Sequence, residues 1–457
     1  SARRFRRRER SIWTQIRSRC RQGSVTLTPL RMPRLARPIM PERRVIVVGG
    51  GVIGVCCAYF LAKKGAEVIL VERGEIGQGA SFGNAGTIAA GHPPLNKPGR
   101  IRRSLLDLLN PKSPLYIPVR WDPGLVRWLW AFRGFCTDRH LTASMGALAP
   151  LGHASLELFD VLVESEGLLC DYKRSGYYEI CRTERGLAEV ARDAAMMRQY
   201  DYHPREMDAD ELREIEPALL EGVVGGAYFP EAATCDPHRF VLEMADRTGR
   251  AGGRIETGRG VSEILSTGST VRGVRLEDGE VLDAEAVVLA TGSYSGSLTR
   301  GFGLALPVRA GKGYHRDLEF GDSAAQAPGV ACVLTETSVF CTPMAGCIRL
   351  AGTLEFSGVN HEMRPGRLEQ LTAAAAAYLG GVREATIRSE WCGLRPCTPD
   401  GIPYVGPVPG QSGLFVATGH AMLGLTLGPV TGKLIEEYVL EGRASLPAGA
   451  LGLERLS

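Results

Sequence analysis

The stretch Arg43-Arg44-Val45-Ile46-Val47-Val48-Gly49-Gly50-Gly51-Val52-Ile53-Gly54, continued by an apolar run to Lys64 and closed by Gly65, decides the fold class. Arg43–Val48 is a β-branched apolar run of the kind that is buried in a parallel sheet. The glycines after it fit G-x-G-x-x-G. Val55–Lys64 reads as a helix with small and apolar residues toward the sheet, and Gly65 stands where a helix C-cap glycine belongs. Glu67-Val68-Ile69-Leu70-Val71-Glu72 is a second strand ending in an acid. Each part has a physical task. Gly49 permits the tight turn, Gly51 lets a pyrophosphate approach without a Cβ in the way, and Gly54 lets helix and strand pack closely. Val48, Val52 and Ile53 flank that turn and are expected to touch the same ligand. The helix N-terminus offers unpaired N–H groups and the positive end of its dipole. Glu72, 18 residues after Gly54, is placed to accept hydrogen bonds from ribose hydroxyls. Strand, glycines, helix, cap, strand and acid in this order are the context a dinucleotide site requires. The competing reading is an ordinary βαβ unit with a glycine-rich turn and no ligand.

The next stretch separates two kinds of dinucleotide. Arg73-Gly74-Glu75-Ile76-Gly77-Gln78-Gly79-Ala80-Ser81-Phe82-Gly83-Asn84-Ala85-Gly86 follows the second strand directly and leaves no room for a regular helix. Such a loop either lies on the surface or wraps an extended cofactor with backbone N–H groups, and Arg73, Gly79, Ala80, Ser81, Asn84, Ala85 and Gly86 are its candidate contacts. A nicotinamide domain would normally proceed to further βα units at once. Two later motifs sharpen the reading. Ala286-Val287-Val288-Leu289-Ala290-Thr291-Gly292-Ser293-Tyr294 is a strand ending in an A-T-G turn. Trp391-Cys392-Gly393-Leu394-Arg395-Pro396-Cys397-Thr398-Pro399-Asp400-Gly401-Ile402-Pro403-Tyr404-Val405-Gly406 is followed by Gly419-His420-Ala421-Met422-Leu423-Gly424. Together these segments resemble the amino-acid oxidase and dehydrogenase family of flavoproteins, which has the glutathione-reductase-like FAD fold. The Trp391 segment is similar to the W-x-G-L-R-P-x-T-P-D-G-x-P segment of bacterial D-amino-acid dehydrogenases. The resemblance runs from about Arg43 to Leu440. It implies FAD, with Ala290, Thr291 and Gly292 near the cofactor and the backbone near Val261 against the adenine. It also implies backbone around Gly401 at FAD, and Gly419, Gly424, Leu425 and Thr426 beneath the flavin ring.

The fold class that follows is α/β. An FAD-binding Rossmann-like domain, built on βαβ units and a parallel sheet, is discontinuous in sequence. A second, α+β substrate domain rests on a mixed or antiparallel sheet. Residues 1–41 form a basic disordered leader; 42–92, 235–300 and 388–445 form the FAD-binding domain; 93–234 and 301–387 form the substrate domain. Pro237–Gly252 reads as a helix with Phe240, Val241, Met244 and Ala245 on one face. Arg254–Leu265 and Val271–Val281 alternate like strands, with turns at Gly268 and Asp278-Gly279. The last helix spans about Gly428–Glu441 and ends at Gly442. Strand signals in the second domain are Gly176–Arg182, Val223–Phe229, Val308–His315 and Ile348–Leu354, with helix over Met145–Glu166 and Leu371–Leu379.

Oxidation of an amine α to a carboxylate on flavin needs little chemistry from the protein. The cofactor takes a hydride from Cα–H at N5 while the chain orients the substrate. The imine then hydrolyses to a 2-oxo acid and ammonia. The expected site is therefore a carboxylate clamp with shaping groups. Arg395 is the clamp, because a planar guanidinium matches a carboxylate with two parallel hydrogen bonds, and the family resemblance places its substrate arginine there; a structural salt bridge is the alternative. His420 either meets the ring or substrate, or is a satisfied structural histidine. Tyr314 and, with less support, Tyr228 are expected to line the pocket or to be core aromatics. Helix amides around Gly424–Leu427 would favour negative charge on the reduced ring. Turn chemistry alone explains Asp400. The substrate so implied is a D-amino acid or a cyclic D-imino acid such as D-proline or hydroxy-D-proline. Glycine, sarcosine or another secondary amine is the alternative, and a non-catalytic flavin-binding structural or assembly protein is the alternative of another class. The electron acceptor, a quinone or O₂, is open.

Composition bounds the remainder. The net charge of +4 hides a division: residues 1–40 hold 12 Arg and one acid, Glu9, a sum of +11, so the other 417 residues sum to −7. The body gives no reason to expect a nucleic acid. The leader reads as a transit peptide, as a basic arm, or as residues upstream of a true start at Met40. The 12 Cys form no C-x-x-C pair and no zinc spacing, so no metal is expected. Related sarcosine oxidases tether flavin through a cysteine, but Gly393 stands at that position here, so FAD is expected to be non-covalent. A redox disulfide between Cys392 and Cys397 is not expected. Trp121–Phe135 holds three of the five Trp with Arg127 and Arg133, and it reads as a helix packed on the second domain or as one lying on a membrane face. The expected location is cytoplasmic, with a peripheral position on the inner face of a membrane as an extension.

Overall fold

The computed structural model describes residues 43–98, 110, 113–321 and 327–456; the basic leader lies outside them. The opening unit folds as its pattern requires. Strands Arg44–Val48 and Glu67–Val71 pair in parallel from Arg44↔Glu67 to Val48↔Val71, and helix Val52–Lys63 crosses between them. That helix is buried from Val52 to Ala62. This is why its sequence is apolar all round. The sheet has six strands in the order Tyr404–Pro407, Leu414–Thr418, Ala286–Leu289, Arg44–Val48, Glu67–Val71, Arg254–Glu256. All neighbours are parallel except the first pair. The sheet is thus assembled from segments far apart in sequence.

Arg254–Leu265, expected as one strand, is divided. Arg254–Glu256 ends the parallel sheet, and after a turn at Gly258 Val261–Thr267 enters a separate antiparallel sheet with Thr270–Leu276 and Val281–Asp283. Helix Pro237–Arg250 buries Phe240, Val241, Met244 and Ala245. The C-terminal helix starts four residues earlier than its pattern suggested, at Gly424, with Pro429 inside, and stops at Gly442 in the left-handed conformation.

The second sheet has nine strands. Its main path runs Thr386–Cys397, Arg309–Glu319, Cys347–Glu355, Val339–Met344, Cys332–Leu334, Tyr177–Cys181, Gly225–Phe229, Arg205–Asp208, and Leu115–Tyr116 adds to Cys347–Glu355. Two of the pairings are parallel and the rest antiparallel, so the sheet is mixed. One boundary falls elsewhere than expected. Residues 388–445 are expected in the FAD-binding domain, whereas Thr386–Cys397 pairs along its length with Arg309–Glu319 in the second sheet. The chain reaches the first sheet only at Tyr404. The physical reason is that nothing local in a strand fixes its partner; its period of 2 fixes only its faces, and it sets Trp391, Gly393 and Arg395 on one of them.

Helix Pro123–Phe135 packs through Leu125 and Trp128 against Leu95, Phe356 and Cys397. Among the described residues one helix, Asp138–Glu166, is long and apolar enough to cross a membrane, and 61% of its apolar window is buried within the fold.

Candidate active site

A cavity of about 510 Å³ opens between the two sheets. One end is built on the opening turn. Val48, Gly49, Gly51, Val52 and Ile53 line it. Gly54 stands behind, where a Cβ would fall 1.8 Å from the Gly49 carbonyl oxygen. The helix begins at Gly51 with no side chain of its own capping it; instead the Ser81 hydroxyl accepts from Val52 N–H at 3.0 Å. The Glu72 carboxylate accepts from Gly50 N–H at 2.7 Å and from Gly74 N–H at 2.9 Å, so it braces the turn as well as lining the cavity. The loop residues Arg73, Gly79, Ala80, Asn84 and Ala85, the A-T-G residues Ala290, Thr291 and Gly292, and Val261 share the same walls. The Arg73 guanidinium lies over the Tyr294 ring, 3.8 Å from its centre.

The loop is fixed from the second sheet. Arg349 donates to both oxygens of Asp317 at 2.8 and 2.9 Å, and its third nitrogen donates to the carbonyls of Phe82 at 3.3 Å and Asn84 at 3.1 Å. Burial would raise the Asp317 pKa, but the hydrogen bonds and charge of Arg349 hold it below its ordinary value. His315, fully buried beside this pair, contacts the Gly83 carbonyl at 3.2 Å and stacks on Trp391 at 5.3 Å. Burial and the Arg349 charge push its pKa down to about 4, so the ring is neutral.

At the other end stands Arg395. Its guanidinium lies flat across the neighbouring strand, over Gly313, where a Cβ would be 2.3 Å from the guanidinium carbon. From there it donates to the carbonyls of Thr353 at 2.6 Å and Gly352 at 3.5 Å. It forms no ion pair among the described residues, and burial lowers its pKa from the ordinary value. A cation enclosed by a cavity, held by neutral carbonyls and lacking a carboxylate, is a seat for an anionic group. Trp391 walls the same face, over Gly83 and Gly393. The C-terminal helix closes the cavity with Gly424, Leu425 and Thr426 at its uncapped N-terminus. His420 lies beside them. Its Nε2 contacts the Thr431 hydroxyl at 3.0 Å, its Nδ1 is buried without a partner, and burial pulls its pKa down to about 3. The chain therefore brings together two helix N-termini, a glycine cradle and the His420 ring along one cavity. These groups fit a dinucleotide with a polar ring system.

Six expected contacts do not reach the cavity. Tyr314 points to the opposite face of its strand, into the second sheet's core, and donates to Glu355 at 3.0 Å. The reason is again period 2: Gly313 faces the cavity, so its neighbour cannot. Gly86, Gly401 and Gly419 form positive-φ turns behind the wall, and Gly54 serves packing alone. Tyr228 bonds to the Ser175 carbonyl at 3.2 Å, away from the cavity. Asp400 accepts from Ile402 N–H and Arg455, as a turn residue would. Sequence reading missed Thr87, His92, Phe340, Ala351, His361 and Trp391 as lining residues. Only Trp391 carried a signal, its alternation with Gly393 and Arg395.

A two-layer fold with an extended nucleotide cradle and a separate anion seat defines a nucleotide-dependent enzyme of the flavoprotein type. The chain belongs to the FAD dependent oxidoreductase family, whose model matches residues 44–438. It is an oxidoreductase with FAD as its cofactor. It is 34% identical over 408 residues to the D-amino acid dehydrogenase of Methylobacterium nodulans, covering 88% of this chain and 96% of that one. It is 32% identical over 418 residues to the D-amino acid dehydrogenase of Rhizorhabdus wittichii, covering 90% and 100%. Among solved structures, glycine oxidase from Geobacillus kaustophilus matches with a TM-score of 0.73 and 25% identity, over 90% of this chain and 98% of that one. L-proline dehydrogenase from P. horikoshii, at 17% identity and a TM-score of 0.71, covers 91% and 98% and shares the fold.

Proposed function

We propose that the protein oxidises D-amino acids to the imine, which water converts to the 2-oxo acid and ammonia, or a cyclic D-imino acid such as D-proline or hydroxy-D-proline to the cyclic imine. The observation that carries this reading is Arg395, a cavity guanidinium held by the carbonyls of Gly352 and Thr353 with no carboxylate of its own. It receives the substrate carboxylate, and the carbonyls keep the fork from swinging away. FAD, held by the glycine cradle, would supply the acceptor for the hydride of Cα–H. His420, kept neutral by burial, places no positive charge beside the ring at neutral pH. The uncapped N-terminus at Gly424 favours negative charge at that end of the cavity. Trp391 and Phe340 keep water from the reacting carbon. FAD is held without a covalent link: no cysteine is among the cavity's lining residues. The acceptor is a quinone or O₂, and a peripheral contact on the cytoplasmic face of a membrane puts a quinone within reach.

The likeness to glycine oxidase supports a second reading, oxidation of glycine, sarcosine or another secondary amine. Anaerobic reduction of the purified protein by a panel of D- and L-amino and imino acids tests both, followed by reoxidation with O₂ or a quinone analogue. D-substrates are expected to bleach the flavin. Arg395→Ala should retain yellow cofactor and lose bleaching by at least about a hundredfold. Bleaching by glycine or sarcosine alone selects the second reading. A yellow protein that no amine reduces identifies a non-catalytic flavin binder.

A further inference from the structure

Beside the cavity, the segment Val119–Phe135 shows a face that the described residues leave uncovered. Val119 is 88% exposed, Trp121 93%, Val126 66% and Trp130 72%. Bulky apolar side chains so bare and so close together mark an interaction site. Their directions agree. Arg120, between Val119 and Trp121, turns inward to donate to the Ser357 carbonyl at 2.6 Å and pairs with Asp122. Its neighbours therefore project outward. Val126 and Trp130 stand one helical turn apart, on the side away from buried Leu125 and Trp128.

The charge on this face is one-sided. Asp122 is spent on Arg120, Arg309 and the helix cap at Leu125 N–H. Arg127 and Arg133 are exposed and form no ion pair among the described residues, and Arg133 lies over the Trp130 ring, 5.3 Å from its centre. Exposed tryptophans with unpaired arginines at their rim match the boundary of an anionic bilayer: indole rings settle at the headgroup level while guanidinium groups meet phosphates. A protein partner would more often find such arginines already set against acids on the same face.

We propose that Val119, Trp121, Val126 and Trp130 insert into the headgroup layer of an anionic lipid surface, with Arg127 and Arg133 on the phosphates. This gives residues and a lipid class to the peripheral contact proposed above, and for its use it rests on that reading. The loop gripped by Arg120 carries His361, which lines the cavity and hydrogen-bonds to the Tyr294 hydroxyl at 3.2 Å. Docking through this face brings that edge of the cavity to the bilayer, where a lipid-soluble electron acceptor resides.

The test uses the full chain with a Trp13→Phe substitution, so that the leader's tryptophan does not report. Its partners are phosphatidylcholine vesicles with and without phosphatidylglycerol, carrying brominated acyl chains. Quenching of tryptophan fluorescence on the anionic vesicles is expected. Trp121→Ser with Trp130→Ser should abolish the quenching and weaken partition at least about tenfold, while amino-acid bleaching of the flavin is unchanged. The 12 arginines of residues 1–40 add salt-sensitive attraction that the double variant keeps, so its loss of partition is read at high salt. Four results overturn the proposal: absence of quenching, equal partition of both proteins at high salt, equal binding to uncharged vesicles, or a self-associated form in which the two tryptophans are covered. Each leaves the deamination reading to stand or fall on bleaching alone.

Discussion

Replacing Gly313 by alanine separates the position of Arg395 from its chemistry. A Cβ at Gly313 would stand 2.3 Å from the guanidinium carbon and 2.4 Å from each Nη, whereas ordinary contact begins near 3.4 Å. The head group must retreat by the difference, 3.4 − 2.3, about 1.1 Å. It then leaves the Thr353 carbonyl, which it now meets at 2.6 Å. The displaced atoms end a flexible side chain, so the cost in stability is small, about 1 kcal/mol for one hydrogen bond. The cost in function is larger, because misplacing a substrate by about 1 Å lowers rate roughly a hundredfold. The assay is anaerobic stopped-flow reduction of bound flavin by D-proline and D-alanine, with flavin content and melting temperature measured in parallel. Gly311→Ala is the control: on the same strand, its Cβ meets Leu354 and Cys397 rather than the guanidinium, so it should lower stability more than reduction rate. Gly313→Ala protein that reduces at the wild-type rate with the wild-type substrate dependence would refute the claim that this guanidinium orients the substrate.

Three further outcomes follow from particular contacts. Arg349→Met leaves Asp317 buried without its cation and releases the loop carbonyls of Phe82 and Asn84; urea titration should show a loss of about 3–5 kcal/mol, partly recovered by adding Asp317→Asn, with weaker FAD retention on dialysis. Gly54→Ala puts a methyl 1.8 Å from the Gly49 oxygen, and the protein should purify colourless if it folds. Acid should weaken the fold through two histidines and be opposed by one glutamate. His315 and His420, at about 4 and about 3, take up protons in the unfolded chain before the native one, so their contribution is present above about pH 6.5 and is lost as pH falls toward those values, about 2 kcal/mol each at pH 5. Glu179, pushed up to about 7 by burial, binds its proton first in the native state and gains as pH falls through 7; Glu179→Gln should therefore steepen the loss between pH 8 and 5 in denaturant titrations.

The dinucleotide half was legible because its signals are local. Strand, glycines, helix and acid occupy consecutive residues, and each follows from backbone sterics or helix dipoles without reference to the rest of the chain. Arg395 was legible for a different reason: family resemblance marked the segment, and guanidinium geometry supplied the role. The second sheet was not legible in the same way. Its nine strands come from segments spread between Leu115 and Cys397, and nothing local in any strand says which distant segment it pairs with. The expectation that residues from 388 belong with the FAD-binding domain shows this, since a β-run carries its faces but not its partner. His92, Phe340 and His361 were missed for the same reason, because they become neighbours of the cavity only through long-range register.

Tyr314 is the instructive error, because the information to avoid it was present. Gly311-Lys312-Gly313-Tyr314-His315 is a strand with small residues at alternate positions. Trp391-Cys392-Gly393-Leu394-Arg395 has its large polar and aromatic groups at alternate positions too. In the antiparallel pair Gly313 faces Gly393, and Gly311 faces Arg395. Two adjacent strands that bare their backbones on one face do so to let something lie across them, and here it is the arms of Trp391 and Arg395. A tyrosine one step out of phase with those glycines belongs to the other face, against Glu355 and the buried core. The glycines are therefore as much a part of the anion seat as the arginine is. A Cβ on either strand would lift the guanidinium or the indole off the sheet, and the cavity floor, rather than the charge, would be lost first.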